Sequence, residues 1–165
     1  MIAITLLLSL VVSTAQIKNT KTDPISKNQL KPVFDNYFLL KDALVKTDGK
    51  TAAARSKDLL ITITAVKMEN LKTAEHTVWM KVSKSVTANA KSISETLDIN
   101  KQRELFKSLS KNTYELIKVS KLAEPVYYNY CPMQDANWLS KEKTIKNPYY
   151  GSRMLSCGKT VKTIK

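Results

Sequence analysis

Apolar residues recur at alternating intervals of three and four over most of residues 30–117, and this periodicity constrains the fold more than any other feature. The spacing places apolar side chains on one face of an α-helix, and four successive segments show it. Because each such face must be buried against another, we predict an all-α, up-and-down four-helix bundle. The inward sets are Leu30, Val33, Tyr37, Leu40 and Leu44; Leu59, Ile63 and Val66; Trp79, Val82, Val86, Ala90, Ile93 and Leu97; and Ile99, Phe106, Leu109, Leu116 and Ile117.

Capping residues predict where these helices begin and end. Ser26, followed three residues later by a glutamine, has the pattern of a capping box for the first helix, although Pro32 could delay its start. Asp48 is suited to cap the second helix and Asp98 the fourth. The third helix is predicted over residues 73–97, and a proline at position 125 ends the helical region.

The first 15 residues carry no charged side chain and contain an apolar run, residues 2–12. This run is shorter than the roughly 20 residues that a membrane-spanning helix needs. Ser13 and Ala15 supply the small residues that precede a signal-peptidase site. We therefore predict an exported protein, periplasmic or extracellular, with no membrane insertion after cleavage before Gln16. An uncleaved anchor is the alternative.

These features divide the chain into three parts. Residues 1–15 form the predicted signal peptide, and residues 16–27 a polar linker. A single helical-bundle domain, residues 28–165, follows and includes a carboxyl-terminal lobe at residues 126–165.

Positive charge is spread along the chain. The formal net charge is +13, and only three of the 27 basic residues are arginine. A nucleic-acid-binding protein is expected to gather its basic residues on one face, often as arginine. The dispersed lysines therefore indicate a soluble surface, and we predict no nucleic-acid partner.

The sequence changes character after residue 125. Val126 to Tyr130 is an aromatic, extended-type segment, and Asn147 to Gly151 has the composition of a turn. We predict a small irregular lobe packed on the bundle. This lobe contains both cysteines of the chain, Cys131 and Cys157.

Two methionines accompany the two cysteines. Cys131 and Met133 flank a proline that favours an extended backbone, and Met154 and Cys157 are three residues apart, so a helical turn would place both on one side. Thiolate and thioether ligands are soft and select Cu(I). Ag(I) and Zn are less favoured, since Zn gains little from methionine.

The same cysteines permit other interpretations. In an oxidising compartment two cysteines most simply form a disulfide, and closing a loop between positions 131 and 157 would contribute about 3.5 kcal/mol in the chain-entropy model. Spacing alone favours this disulfide over metal ligation. A third interpretation is a thiol redox protein. The basic surroundings predict a lowered thiol pKa, which does not distinguish these functions.

The remaining candidate residues give little support for catalysis. His76 is the only histidine and is predicted on the Trp79 stripe, as a core residue or at most an auxiliary metal ligand. The sequence has no glycine-rich phosphate loop, no Cys-x-x-Cys motif and no nucleophile elbow. We therefore predict that the protein is not an enzyme.

Several motifs resemble a known family, domain of unknown function 3347. In the lobe these are Cys131-Pro132-Met133, Trp138-Leu139-Ser140, Asn147-Pro148-Tyr149-Tyr150-Gly151 and Met154-Leu155-Ser156-Cys157-Gly158; in the fourth helix they are Asp98-Ile99, Gln102-Arg103, Phe106 and Leu109-Ser110. The resemblance extends roughly from Leu30 to Ile164. It implies a small exported bacterial domain, similar to one at the carboxyl end of periplasmic adaptor subunits of heavy-metal efflux pumps.

The resemblance shifts the preference from a disulfide to metal ligation, because Cys-Pro-Met also resembles an element of short heavy-metal-binding modules. Our prediction is an exported protein that binds Cu(I) for buffering, delivery or efflux, with a heavy-metal efflux system as a partner. The predicted ligands are Cys131, Met133, Met154 and Cys157, with His76 auxiliary at most. The alternative is an interaction module stapled by a Cys131–Cys157 disulfide.

Overall fold

A computed structural model describes residues 28–165, so the predicted signal peptide and linker lie outside the described residues. Four α-helices precede three β-strands. Their bounds are α1 Lys31–Val45, α2 Gly49–Thr64, α3 Thr73–Ser94, α4 Ile99–Val119, β1 Val126–Cys131, β2 Ala136–Ser140 and β3 Lys159–Ile164. Two short 3-10 helices, Met68–Asn70 and Gly151–Met154, complete the regular structure.

Local capping chemistry explains most helix boundaries. The Asp48 carboxylate accepts the Thr51 N–H (2.9 Å) at the start of α2, and Asp98 accepts the Asn100 N–H (2.9 Å) at the start of α4. The predicted start of α1 at Ser26 is wrong, because the helix begins at Lys31 with Pro32 in its first turn. Proline is favoured at this place, where an N–H would lack a helical partner.

The apolar stripes form one core. Trp79, Val82, Val86, Ala90 and Ile93 of α3 are all buried, as the spacing predicts. Leu97 is not, since α3 ends at Ser94 and this side chain is 68% exposed. Helices adjacent in sequence pack against each other along the series α1 to α4. Within residues 28–165, none of the helices has the length and apolar character needed to cross a membrane.

The lobe contains a regular sheet, and the prediction of an irregular lobe in an all-α protein is wrong in this respect. The strands are antiparallel in the order β2-β1-β3. The aromatic run of β1 indicated an extended segment, because aromatic residues suit a pleated surface. β3 gave a weaker signal because its sequence, a Lys-Thr pair followed by one apolar residue and then repeated, lacks the two-residue alternation of a strand, and all of it except Ile164 is exposed.

A buried tyrosine joins the helices to the sheet. The Tyr37 hydroxyl of α1 lies 2.5 Å from the Ser110 hydroxyl of α4 and accepts the backbone N–H of Leu139 in β2 (3.1 Å). Burial raises the pKa of Tyr37 far above its usual range, so the hydroxyl stays neutral. A second contact stacks Tyr114 of α4 on Tyr128 of β1, with ring centroids 3.8 Å apart.

We expect Tyr37→Phe to lower the free energy of unfolding by about 1–3 kcal/mol, because the buried Leu139 N–H loses its acceptor. Urea unfolding followed by circular dichroism measures this change. Tyr127→Phe is the matched control, since Tyr127 is half-buried and its hydroxyl makes no hydrogen bond among the described residues. Equal effects of the two substitutions would contradict a specific role for the Tyr37 hydroxyl.

Candidate functional site

The two cysteines lie side by side in the lobe. Cys131 is the last residue of β1 and is fully buried, whereas Cys157 is half-buried in the turn before β3. Both are free thiols, and Cys131 is close enough to raise the pKa of the Cys157 thiol. The fold therefore brings together two donors that are far apart in the sequence.

Asn147 holds the loop that carries Cys157. Its side-chain Nδ2 donates to the Cys157 carbonyl (2.7 Å), and its backbone N–H donates to the Leu155 carbonyl (2.8 Å). Its Oδ1 accepts the Tyr149 N–H (2.8 Å), and its carbonyl accepts the Gly151 N–H (3.0 Å). Because Asn147 is fully buried, these four bonds fix the loop with little competition from water.

Trp138 and Gly158 close the loop against the sheet. Gly158 has a φ of +138°, and a Cβ at this position would lie 2.7 Å from the Trp138 ring and 2.8 Å from the Tyr130 carbonyl oxygen. Only glycine fits this approach and this backbone conformation. Trp138 is fully buried, so the residue after Cys157 packs directly on a large apolar side chain.

The methionines lie nearer the surface than the cysteines. Met154 ends the short 3-10 helix, and the Cys157 N–H donates to the Met154 carbonyl (3.1 Å), so the turn predicted to join these residues is formed. Met133 lies in the four-residue turn between β1 and β2. The side chains of Met133 and Met154 are 62% and 39% exposed. Met133 therefore does not share the buried environment of Cys131, although the sequence predicted both residues as ligands of one metal ion.

His76 does not belong to this cluster. It lies in the first turns of α3 and is exposed, so its prediction as a core residue is wrong. Across residues 28–165, no group of three or more His, Cys, Asp or Glu side chains is arranged to hold a metal ion. His76 therefore does not join the two cysteines in such a group.

The pKa of Cys157 is shifted in the direction opposite to the prediction. Partial burial raises it, and the neighbouring Cys131 side chain raises it further. The surrounding lysines were predicted to lower the thiol pKa. Desolvation and the second sulfur outweigh them, because both act at short range on the thiolate.

We expect alkylation of Cys157 by iodoacetamide to have a midpoint pH above that of an ordinary cysteine, because the thiolate is the reactive species. Mass spectrometry of the reduced, metal-free protein over a pH series measures this midpoint. The Cys131→Ser variant should move it towards the ordinary value, since the second ionisable thiol is removed. A midpoint below the ordinary cysteine value would show that the lysines dominate instead.

Arg103 is a structural residue that the sequence indicated only through the family resemblance. Its side chain is 4% exposed. Its Nε donates to the Pro148 carbonyl (2.9 Å), and its Nη2 donates to the Leu44 carbonyl (3.2 Å) and the Thr47 hydroxyl (3.0 Å). These bonds tie the end of α1 to the loop after Asn147. Its position three residues before Phe106 on α4 was the available signal, since this spacing places it towards the apolar face.

The helical part of the chain decides its family. The family described as "Protein of unknown function (DUF3347)" matches residues 33–124. The chain belongs to the DUF3347 family. The match covers α4 with its Gln102-Arg103 signature but ends before β1, so DUF3347 membership rests on the helices and not on the cysteines and methionines of the lobe. No curated protein and no solved structure matches this DUF3347 chain.

Proposed function

We propose that this DUF3347 protein binds a soft metal ion, Cu(I), through Cys131 and Cys157, with Met154 and Met133 as thioether ligands. The observation that supports the proposal is the side-by-side position of the two free thiols. Met154 is held on the same turn as Cys157. Sulfur donors of both kinds favour Cu(I) over hard cations such as Mg²⁺ and Ca²⁺.

The uneven exposure of the four sulfurs suits an exchangeable site. Cys131 is buried at the end of β1, whereas both methionines reach solvent. An ion held by the cysteines would thus stay accessible from the methionine side, as buffering or delivery requires. Ag(I) fits the same donors, and Zn is less favoured because thioethers contribute little to its binding.

Binding would be coupled to proton release. The raised pKa of Cys157 keeps this thiol protonated near neutral pH, and a ligating thiol must lose its proton. Apparent Cu(I) affinity should therefore rise with pH as Cys157 deprotonates. The same shift makes a thiol redox function less favoured, because a redox cysteine is usually one with a depressed pKa.

A competition titration tests the metal proposal. The reduced protein competes with a chromophoric Cu(I) chelator under anaerobic conditions, and the chelator absorbance reports the copper that it retains. The proposal requires one Cu(I) bound per chain. Failure of the protein to withdraw copper from even a weak chelator would reject it.

The second candidate is an interaction module stapled by a Cys131–Cys157 disulfide. The same proximity of the thiols favours it, since a disulfide needs neighbouring cysteines. In this case the loop of residues 132–156 would be closed covalently and no metal would bind. Counting free thiols in protein purified without reductant separates the two candidates.

We also propose that the protein is exported after loss of residues 1–15, that a heavy-metal efflux system is its partner, and that α1–α4 form an up-and-down bundle. Consecutive packing of the helices supports the last point.

We expect the exported protein to begin at Gln16, because small residues precede this position. Mass spectrometry of the exported fraction measures the new terminus, and an intact Met1 product in membranes would favour an anchor.

A further inference from the structure

A cleft outside the sulfur site lies between α4 and two loops of the lobe. Its volume is about 520 Å³, within the range of small-molecule sites. Basic residues dominate its charged lining, which contains Lys101, Arg103 and Arg153 but only one acid, Glu104. Gln134 from the β1–β2 turn and Tyr150 also line it.

The basic side chains of this cleft have no acidic partner. Glu104 is engaged by Lys107, with Nζ and Oε1 2.9 Å apart. Among residues 28–165, none of the ion pairs involves Lys101, Arg103 or Arg153. A nearly buried guanidinium usually has a carboxylate or another anion beside it, because desolvating an unpaired charge is costly.

Arg103 keeps part of its hydrogen-bonding capacity free. Its Nε and Nη2 bind two backbone carbonyls and one hydroxyl, whereas Nη1 makes none of these bonds. Burial lowers the pKa of Arg103, and the positive charge of Arg153 lowers it further. The two guanidinium groups are therefore close enough to repel each other, and an anion between them would relieve this repulsion.

We propose that this cleft binds a small anion bearing a carboxylate or phosphate group, held by Arg103 and Arg153 and assisted by Lys101. The planar fork of arginine matches both groups through paired N–H donors. Tyr150, which lines the cleft and is only half-buried, offers an aromatic surface to the rest of the ligand. This binding needs neither cysteine nor metal, so it stands apart from the Cu(I) proposal.

NMR titration of the reduced, metal-free, ¹⁵N-labelled protein in low-salt buffer tests the cleft. Benzoate and inorganic phosphate are the anionic probes, and their relative affinities tell a carboxylate site from a phosphate site. Benzamide is the neutral match for benzoate. We expect saturable shifts of the Gln134, Tyr150 and Arg153 amides with at least one anion and none with benzamide. No saturable shift with either anion, or equal binding of benzamide, would overturn the proposal.

Substitutions of single basic residues show which positive charges bind the anion. Arg153 is exposed and makes no hydrogen bond among the described residues, so Arg153→Gln should fold normally and weaken anion affinity about tenfold, as expected for loss of a charged hydrogen bond. Lys101→Gln is a second variant with the same direction of effect. Lys111→Gln removes an equal charge from α4 outside the cleft, and we expect a change below about twofold. Equal weakening by Lys111→Gln would indicate unspecific charge attraction and reject the site.

Discussion

Replacing Cys131 and Cys157 together by serine is expected to lower Cu(I) affinity by at least about a hundredfold. Loss of a residue that only hydrogen-bonds to a metal ligand can already lower affinity by about that factor, and here two ligands are lost. Serine is nearly isosteric, but its hydroxyl is a hard donor that does not match Cu(I). Competition with a Cu(I) chelator under reducing, anaerobic conditions measures the affinity. Helicity should be largely unchanged, because neither residue lies in a helix and serine nearly preserves the volume of Cys131 in the core.

Methionine variants provide graded controls for this result. Met154→Leu and Met133→Leu keep volume and remove only a thioether, so each should weaken Cu(I) binding less than the cysteine changes. Met80→Leu on α3 is the matched control, because Met80 is 59% exposed, like Met133, but lies outside the lobe. His76→Ala should have no effect. Unchanged affinity in the double cysteine variant would reject the site, and an effect of Met80→Leu would show that surface methionines bind copper unspecifically.

Asn147→Ala is expected to lower the free energy of unfolding by about 2–4 kcal/mol, because two side-chain hydrogen bonds are lost and buried backbone groups are left without partners. The groups affected are the Cys157 carbonyl and the Tyr149 N–H. The loop that positions Cys157 should loosen as well, so Cu(I) affinity should fall with stability. Urea unfolding and the chelator competition measure the two effects.

Asn36→Ala is the control for this change. Asn36 lies on α1 and donates one hydrogen bond to the Pro32 carbonyl (3.1 Å) at an exposed position, so its replacement should cost less than about 0.5 kcal/mol. If Asn147→Ala were no more destabilising than Asn36→Ala, the hydrogen bonds of Asn147 would not be what fixes the Cys157 loop.

The sequence predicted the helices well because their signals are local. Apolar spacing and the Asp48 and Asp98 caps act within a few residues, and the structure confirms both. Errors arose where a neighbouring residue changed the boundary, as Pro32 did at the start of α1. β3 was missed because its pairing with β1 depends on residues 29 to 38 positions away, and its own exposed lysines carry little apolar signal.

The site was predictable in its residue types but not in its geometry. The spacing of Met154 and Cys157 predicted their shared turn, which the structure contains. The approach of Cys157 to Cys131 depends on the buried Asn147 and on the contact between Gly158 and Trp138, which no local pattern reveals. The thiol pKa was predicted in the wrong direction because a count of nearby lysines ignores burial and the second sulfur.

The most direct test of the central claim, that the paired thiols hold Cu(I), is one combined measurement of copper and free thiols. Protein purified anaerobically under reducing conditions is given one equivalent of Cu(I), desalted, and assayed for metal and for alkylation of Cys131 and Cys157. We expect one copper per chain and two thiols that become alkylated only after a strong chelator removes the metal. Copper lost on desalting with both thiols freely alkylated, or a Cys131–Cys157 disulfide in metal-free protein, would contradict it.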